Sequence, residues 1–392
     1  MNDVEQFRGR VQAWLNERFD PIDPDRDDDR GDIISRAPDG HQTLINNAVK
    51  MQQDLYDAGF IGLATPVEYG GHGLARELDA VVAEELALVD APSIRLLGIG
   101  LGLALPTIKA VGTEAQKQRY IPKLLSAREV WCQLFSEPDA GSDLVSLRCR
   151  GVADGESWVV TGQKVWSSIA ADAHFGLLLA RTDPTAEKPH AGITMFILDM
   201  HAPGVAVRPL VDIAGGHHFN EVFLEDVVIS SADVLGDVNR GWQVANGTLS
   251  GERSNYLGGA GGGRRRRQAE RALVAANRLQ DLVQRQRVVD ITARELMLEW
   301  LSARIGAGAV FGNNPAVGSL IKVAAGNLEQ DAANLVMDLL GVAGVAWDVS
   351  DRDGDIASHT LNAARQATIA GGTHQIQRNL LGERVLGLPR ER

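Results

Sequence analysis

The order in which helix-type and strand-type patterns follow one another is the feature of this sequence that most narrows its fold. Close to the N-terminus, apolar residues recur at the spacing of one helix face: Phe7, Val11, Trp14, Leu15 and Phe19. The same helical spacing continues through residues 44–130 and returns after Gly241 and Trp242. Between these two helical regions the pattern changes to that of strands.

The middle region, from about residue 131 to 235, consists of short β-branched runs separated by turn residues. The predicted strands cover Trp158–Thr161, Phe175–Ala180, Ile193–Asp199, Val205–Val207 and Val222–Ile229. Because 392 residues exceed what one hydrophobic core supports, several domains are expected. The sequence therefore predicts an α+β protein with an N-terminal helical domain (1–130), a middle β-domain (131–235) and a C-terminal helical domain (236–392).

Composition argues against several kinds of partner and site. Asp and Glu number 51 against 39 Lys and Arg, and the formal net charge of −12 repels a nucleic-acid backbone. No apolar run approaches the roughly 20 residues that span a bilayer, and the N-terminal residues lack the apolar core of a signal peptide. The two cysteines, Cys132 and Cys149, lack metal-site spacing. We expect a cytoplasmic protein with reduced thiols and without a metal site, nucleic-acid partner or membrane span.

Seven segments show motif-like patterns of polar residues, and six of them also contain glycine. One spans the start of the middle region and another follows it: GTEAQKQRYIPKLLSAREVWCQLFSEPDAGSD at 112–143 and VVTGQKVWSS at 159–168. The others are GFIGLATPVEYGGHG at 59–73, FNEVFLEDVVI at 219–229, LGDVNRGW at 235–242, LSGERS at 249–254 and GGTHQIQRNLLGERVLGLPRE at 371–391. One short motif would be weak on its own. In order and spacing, the seven together resemble the acyl-CoA dehydrogenase family over nearly the whole chain.

This resemblance implies a fold, a cofactor and a reaction. The family has an N-terminal helical domain, a middle β-barrel-like domain and a C-terminal four-helix bundle, which is the order that the periodicity predicts independently. Its members use FAD to convert an acyl-CoA thioester into the 2-enoyl-CoA. We therefore expect FAD, an acyl-CoA substrate and electron-transfer flavoprotein as the electron acceptor.

The resemblance also implies which residues hold the flavin. Residues along the ring edge and the pyrophosphate would be Gln133, Leu134, Phe135, Ser136, Gly141 and Ser142. A glycine lets the backbone approach a phosphate and a serine hydroxyl donates to its oxygens, although an ordinary turn is the alternative for this pair. Trp166 would lie against the ring and Ser168 would reach its N5 and O4 region. Without the resemblance, Trp166 would be interpreted as a packing residue.

Contacts from the C-terminal region are predicted less completely. Thr373 and Gln375 match family positions that touch the cofactor. The family also takes an Arg and a Gln-x-x-Gly-Gly segment from a neighbouring subunit, but residues 338–344 here read DLLGVAG, and Arg278 has an ambiguous register. The chain is therefore expected to form either a homotetramer or a heterotetramer.

The catalytic base is expected at Glu252. Removal of an α-proton needs a positioned carboxylate and a hydrogen-bond donor to the thioester carbonyl. Many family members carry a Glu where this chain has Gly371, whereas other branches place it on a C-terminal helix before an Arg, as in Glu252-Arg253. The Gly371 backbone N–H still supplies a donor. The alternative for Glu252 is a surface residue paired with an arginine.

Several other segments have structural interpretations. The acidic stretch 21–32 is predicted to be a solvated loop. Arg264–Arg267, after the glycine-rich patch at 258–263, predict a solvated basic face, with CoA phosphate contact as the alternative. Gly258, Gly259 and Gly261 would leave room for a branched or bulky acyl group. His217, His218 and His374 are interpreted as structural or surface groups, since adjacent histidines in a strand point to opposite faces.

Three further functions compete with the dehydrogenase. An acyl-CoA oxidase would pass electrons to O₂, and a nitroalkane-oxidising relative would need an acidic residue at position 371. A non-enzymatic subunit that completes a partner's flavin site would also lack the cross-subunit signatures. Glu252 argues against a purely structural role.

Overall fold

The computed structural model describes residues 2–22, 40–255, 263–312, 314–345 and 352–389. The chain divides into two compact units, one of residues 1–212 and 216–248 and one of residues 213–215 and 249–392. None of the described helices is both long enough and apolar enough to cross a membrane.

The first unit begins with helices, as predicted. They are α1 (Asn2–Asn16), α2 (Gly40–Asp57), α3 (Glu77–Leu86), α4 (Leu105–Val111) and α5 (Glu114–Leu125). The predicted apolar face of α1 is confirmed, because Phe7, Val11 and Leu15 are buried. Of the predicted acidic loop, residues 23–32 lie outside the described part of the chain.

Seven strands follow among the described residues of the first unit and form one sheet. They are β1 (Trp131–Leu134), β2 (Arg150–Asp154), β3 (Ser157–Lys164), β4 (Phe175–Arg181), β5 (Ile193–Asp199), β6 (Val205–Leu210) and β7 (Phe219–Ser230). The order is β1-β4-β2-β3-β7-β6, and β5 pairs with β4. The β1–β4 and β2–β4 pairs are parallel, whereas the other pairs are antiparallel. All five predicted strands are confirmed, while β1 and β2 were not predicted.

Alternation along β3 and β7 sets which side chains enter the core of the sheet. Val222 and Leu224 of β7 belong to the buried cluster, and Asn220, two residues before Val222, lies on the same face and is also buried. On β3, Val160 and Lys164 are both buried. Two polar side chains therefore occupy inward positions on these two strands.

The second unit is helical. Helix α6 (Gly241–Asn255) leads from the first unit into the second, and the remaining helices are α7 (Arg264–Ala275), α8 (Leu282–Gly306), α9 (Gly318–Leu340), α10 (Val342–Val345), α11 (Arg352–Ala363) and α12 (His374–Arg384). Helices α7, α8 and α9 bury a shared apolar core that includes Leu273, Leu298 and Leu335. The helical pattern predicted for this region is therefore confirmed.

The prediction of a solvated basic face at the start of α7 is wrong for two of its arginines. Arg265 is buried, and its Nε donates to Glu329 of α9 at 2.6 Å and its Nη1 to Glu295 of α8 at 3.2 Å. Arg264 also pairs with Glu329. Burial alone would raise the pKa of Glu329, but the two arginines outweigh it and lower this pKa to about 2. These residues join three helices, which a run of like charges does not reveal.

Candidate active site

The predicted ring-edge segment runs along β1 and just beyond it. The side chains of Leu134 and Phe135 are buried, so any contact that these two residues make with a ligand must come from their backbone. Gln133 and Ser136 are only partly buried. The amide and hydroxyl side chains of this segment therefore remain accessible, and its apolar side chains secure it to the sheet core.

A tight turn follows the ring-edge segment. Glu137 N donates to Ala140 O at 3.0 Å, and Ala140 N donates back to Glu137 O at 3.1 Å. This reciprocal pair leaves the next two residues, Gly141 and Ser142, exposed. A Cβ added to Gly141 would meet no atom within 4 Å. The turn therefore presents a small residue and a hydroxyl to open space, as an approach to a pyrophosphate requires.

The turn after β3 presents Trp166 in an unusual conformation. Trp166 has a φ of +59° and its side chain is 58% exposed, with its ring edge-on to Phe219 at 5.6 Å between centroids. Ile169 in the same turn has a φ of +52° but is buried. A left-handed backbone is costly for such side chains and is frequent at functional sites. The interpretation of Trp166 as a core residue is therefore not supported.

The start of strand β7 and the residue before it hold this turn through several hydrogen bonds. Ser167 N donates to Asn220 O at 3.1 Å, and Ile169 N donates to His218 O at 2.7 Å. The buried Asn220 side chain donates from Nδ2 to Ser167 O at 3.0 Å. Ser168, predicted to reach the flavin, is partly buried between these anchored residues.

In the second unit, the predicted donor Gly371 lies in a turn before α12. Gly371 and Gly372 have φ values of +65° and +90°. Gln377, which is 1% exposed, donates from Nε2 to Gly371 O at 2.8 Å and accepts at Oε1 from the Ser319 hydroxyl at 2.6 Å. A side chain fixed from α9 therefore fixes the turn that carries the predicted N–H donor.

The predicted cofactor contacts near α12 have different local roles. Thr373 is the N-cap of α12, because its hydroxyl accepts from Ile376 N at 3.3 Å. Its O–H proton is still free to be donated elsewhere. Gln375 is exposed on the first turn of the helix. Between them, burial together with Lys322 and Arg378 lowers the pKa of His374, which favours its neutral form.

The remaining predictions concern residues that the structure does not describe in full. Glu252 and Arg253 lie on α6, but their side chains are outside the described part of the chain, and the glycines at 258, 259 and 261 lie outside it entirely. Arg278 lies in the connection between α7 and α8 and pairs with Asp281 at 3.6 Å. Within the described ranges, no group of three His, Cys, Asp or Glu residues could hold a metal ion.

Three polar residues that support these turns were not predicted: Lys164, Asn220 and Gln377. Each stands inside a segment that carries the family resemblance. For Lys164 and Asn220, alternation from the apolar residues Val160 and Val222 would have placed them on the inward face. A polar residue on the buried face of a strand was therefore the available signal.

Comparison with known proteins agrees with the fold and these motifs. The family models of the acyl-CoA dehydrogenase N-terminal, middle and C-terminal domains match residues 2–128, 132–227 and 239–386. The chain therefore belongs to the acyl-CoA dehydrogenase family, whose members are flavoproteins. It is an oxidoreductase of the class that acts on acyl-CoA.

Individual relatives are similar over the whole chain. The acyl-CoA dehydrogenase IpdE1 of Mycobacterium tuberculosis is 34% identical, covering 100% of this chain and 99% of that protein. The solved ChsE4-ChsE5 complex from the same organism contains a chain with 26% identity and a TM-score of 0.78, covering 100% and 99%. The Tcur3481-Tcur3483 steroid ACAD has 24% identity and a TM-score of 0.80, also covering 100% and 99%, which shows the likeness of fold.

Proposed function

We propose that the protein uses FAD to catalyse α,β-dehydrogenation of an acyl-CoA thioester to the 2-enoyl-CoA. The observation that carries this proposal is Trp166, an exposed ring held in a left-handed turn of a flavoprotein-family chain. An exposed aromatic surface in a costly conformation is explained by a ligand that stacks on it. The division into domains 1–130, 131–235 and 236–392 is part of the proposal.

The residues fit a flavin in several respects. Trp166 offers an aromatic surface, and Ser168, Ser136 and Gln133 offer polar groups in the two segments assigned to the ring. The open space at Gly141 suits a pyrophosphate. When bound, the flavin supplies the acceptor for a hydride from the substrate β-carbon.

In the proposed reaction, Glu252 accepts the α-proton of the acyl group. Negative charge then develops on the thioester oxygen, and the Gly371 N–H donates a hydrogen bond to it. The bond from Gln377 to Gly371 O supports this role, because it fixes the turn before the substrate arrives. Thr373 and Gln375, which follow Gly371 in the sequence, are proposed to contact the cofactor.

Glu252→Gln tests the proposed base. The variant keeps the side-chain volume but removes the basicity, so anaerobic flavin bleaching by acyl-CoA is expected to slow by about 10² or more. Flavin content should stay unchanged. Glu270→Gln is the matched control, since this glutamate is exposed and pairs with Arg266 at a long distance of 3.9 Å. Bleaching at the wild-type rate in Glu252→Gln would move the base to another residue.

The same assay defines the substrate and the electron acceptor. A branched or bulky acyl group is proposed, because one structural relative is described as a steroid ACAD. Straight-chain, branched and polycyclic acyl-CoAs should therefore be compared, and fastest bleaching by a short straight chain would contradict this part. Reoxidation by electron-transfer flavoprotein without peroxide is expected for a dehydrogenase. Substantial peroxide in air would favour the oxidase alternative.

An exposed face of α8 supports assembly into a homotetramer or heterotetramer. Leu282, Val289 and Leu296 recur every seven residues, and Trp300 follows on the same face with 64% of its surface exposed. The opposite face of α8 packs in the core of the second unit through Val288, Ile291 and Leu298. Two apolar faces on one helix require a second covering surface.

The mass and flavin content of the purified chain distinguish the two assemblies. A tetrameric mass with about one FAD per chain is expected for the homotetramer. A colourless chain that takes up FAD only after a second type of subunit is added would indicate the heterotetramer, or the subunit that completes a partner's site. A monomer that binds FAD alone would contradict both.

A further inference from the structure

Lys164 is a buried charged residue that the proposed reaction does not use. Its side chain is 0% exposed, at the end of β3 and two residues before Trp166. A buried ammonium is costly unless it is paired and hydrogen-bonded. Lys164 Nζ lies 2.7 Å from Glu137 Oε1 and 3.1 Å from Phe135 O. Both partners belong to the segment that runs from the predicted ring edge into the tight turn.

The carboxylate of Glu137, the partner of Lys164, accepts further hydrogen bonds. Besides Lys164, its carboxylate accepts from Arg148 N at 2.6 Å and from Cys149 N at 2.9 Å. The carboxylate therefore joins three separate stretches of chain: the end of the ring-edge segment, the entry to β2 and the end of β3. Such a carboxylate has a defined place and gives Lys164 a fixed point of attachment.

Backbone geometry shows what this attachment aligns. Val165 N, next to Lys164, donates to Ser136 O at 2.9 Å. Two consecutive carbonyls, those of Phe135 and Ser136, thus accept hydrogen bonds from two consecutive residues, Lys164 and Val165. The ring-edge segment and the Trp166 turn are therefore joined directly at this point.

We propose that Lys164 is a positioning residue for the flavin. Its ammonium fixes the spacing between the segment along the ring edge and the turn that presents Trp166 and Ser168. The inference rests on the proposed function, because it assigns a flavin to these two segments. Lys164 acts through the backbone of Phe135 and the carboxylate of Glu137, and it needs no contact with the flavin itself.

Lys164→Met tests the role, because it fills a similar volume without an ammonium. We expect FAD to bind at least 10-fold more weakly, with a shifted visible spectrum of the bound flavin. In the flavin-free protein, amide hydrogen exchange should accelerate in peptides that contain Ser136 and Val165. Exchange in β5 should stay unchanged.

Lys123→Met is the matched control. It also removes a lysine from an ion pair with a buried glutamate, since Lys123 Nζ lies 2.9 Å from Glu129 Oε1. Glu129 retains Arg119 at 2.9 Å, and neither Lys123 nor Glu129 lies in the ring-edge stretch 133–136 or in the Trp166 turn. FAD affinity and spectrum should remain those of the wild type. An equal loss of affinity in this control would overturn the proposal, because the effect would then be one of general stability.

The double variant Glu137→Gln/Lys164→Met distinguishes a loss of flavin positioning from a loss of folding stability. It removes both charges and so leaves no uncompensated ion, which guards against a single variant that fails to fold. Weak FAD binding in a double variant with wild-type melting temperature supports the positioning role. Wild-type affinity, spectrum and exchange at Val165 overturn it, while the proposed function stands. A wild-type chain that binds no FAD, with or without a second subunit, overturns the proposed function itself and the positioning role with it.

Discussion

The turn at Trp166–Ile169 and the turn at Gly371–Thr373 adopt a similar backbone conformation with different types of residue. Both contain left-handed backbone, at φ values of +59° and +52° for Trp166 and Ile169, and of +65° and +90° for Gly371 and Gly372. This conformation costs a residue with a Cβ roughly 1–2 kcal/mol, whereas glycine adopts it freely. The first turn is therefore strained by its sequence, and the second is permitted by it.

Both turns are held by a buried carboxamide. Asn220 donates to Ser167 O at 3.0 Å and to His218 O at 3.3 Å, while Gln377 donates to Gly371 O at 2.8 Å. The Trp166 turn has additional backbone bonds, from Ser167 N to Asn220 of β7 and from Ile169 N to His218 just before that strand. A strained turn persists only when its surroundings over-determine it. The difference teaches that bulky residues at such a turn require more tertiary support than glycines do.

Gly372→Ala should have the largest effect of the three substitutions that probe this comparison. A Cβ at position 372 would lie 2.5 Å from Gln377 Nε2, and the new alanine would have to keep the glycine's φ of +90°. Left-handed strain and overpacking together should lower the free energy of unfolding by roughly 2–4 kcal/mol. Denaturant unfolding measures this loss. In the control Gly387→Ala, φ is +68° but the added Cβ would meet no atom within 4 Å. The loss of unfolding free energy should therefore be only about 1–2 kcal/mol. Equal losses would mean that Gln377 yields freely.

Asn220→Ala should have an intermediate effect. It removes the donor to the buried Ser167 O, and an unsatisfied buried group costs about 1–3 kcal/mol. His218 O keeps its bond from Ile169 N. Hydrogen exchange at Ser167 and Ile169 should accelerate along with the loss of stability. Asn246→Ala is the control, because its Nδ2 donates to Trp242 O within a helix and alanine favours that helix. If the two variants lost equal stability, Asn220 would have no special part in holding the turn.

Trp166→Gly should change stability least. It gives up the edge contact with Phe219, but it relieves left-handed strain, so the free energy of unfolding should shift by no more than about 1 kcal/mol. Trp166→Ala loses the same contact and retains the strain. The glycine variant should therefore be the more stable of the two by thermal or denaturant unfolding, although both should bind FAD more weakly than the wild type. An alanine variant of equal or greater stability would show that the turn is not strained.

Much of the fold was predictable because it depends on local patterns. The period-2 runs predicted β3 to β7, and the helical stripe of Phe7, Val11 and Leu15 predicted α1. The strands β1 and β2 were missed, since they are short and have few β-branched residues. The basic run at Arg264–Arg267 was wrongly predicted to be fully solvated, because the glutamates that pair with Arg265 lie 30 and 64 residues further along the chain.

The sequence by itself determined the order of helices and strands, the family and the segments that form the candidate site, because periodicity, glycines and motifs are local properties. Only the tertiary structure decided which side chains secure those segments. Asn220 reaches a carbonyl 53 residues away, Gln377 meets a serine 58 residues away, and Lys164 pairs with Glu137 across 27 residues. Such partners are selected by packing in three dimensions, where a buried polar group must find a hydrogen bond from whatever segment the fold brings beside it.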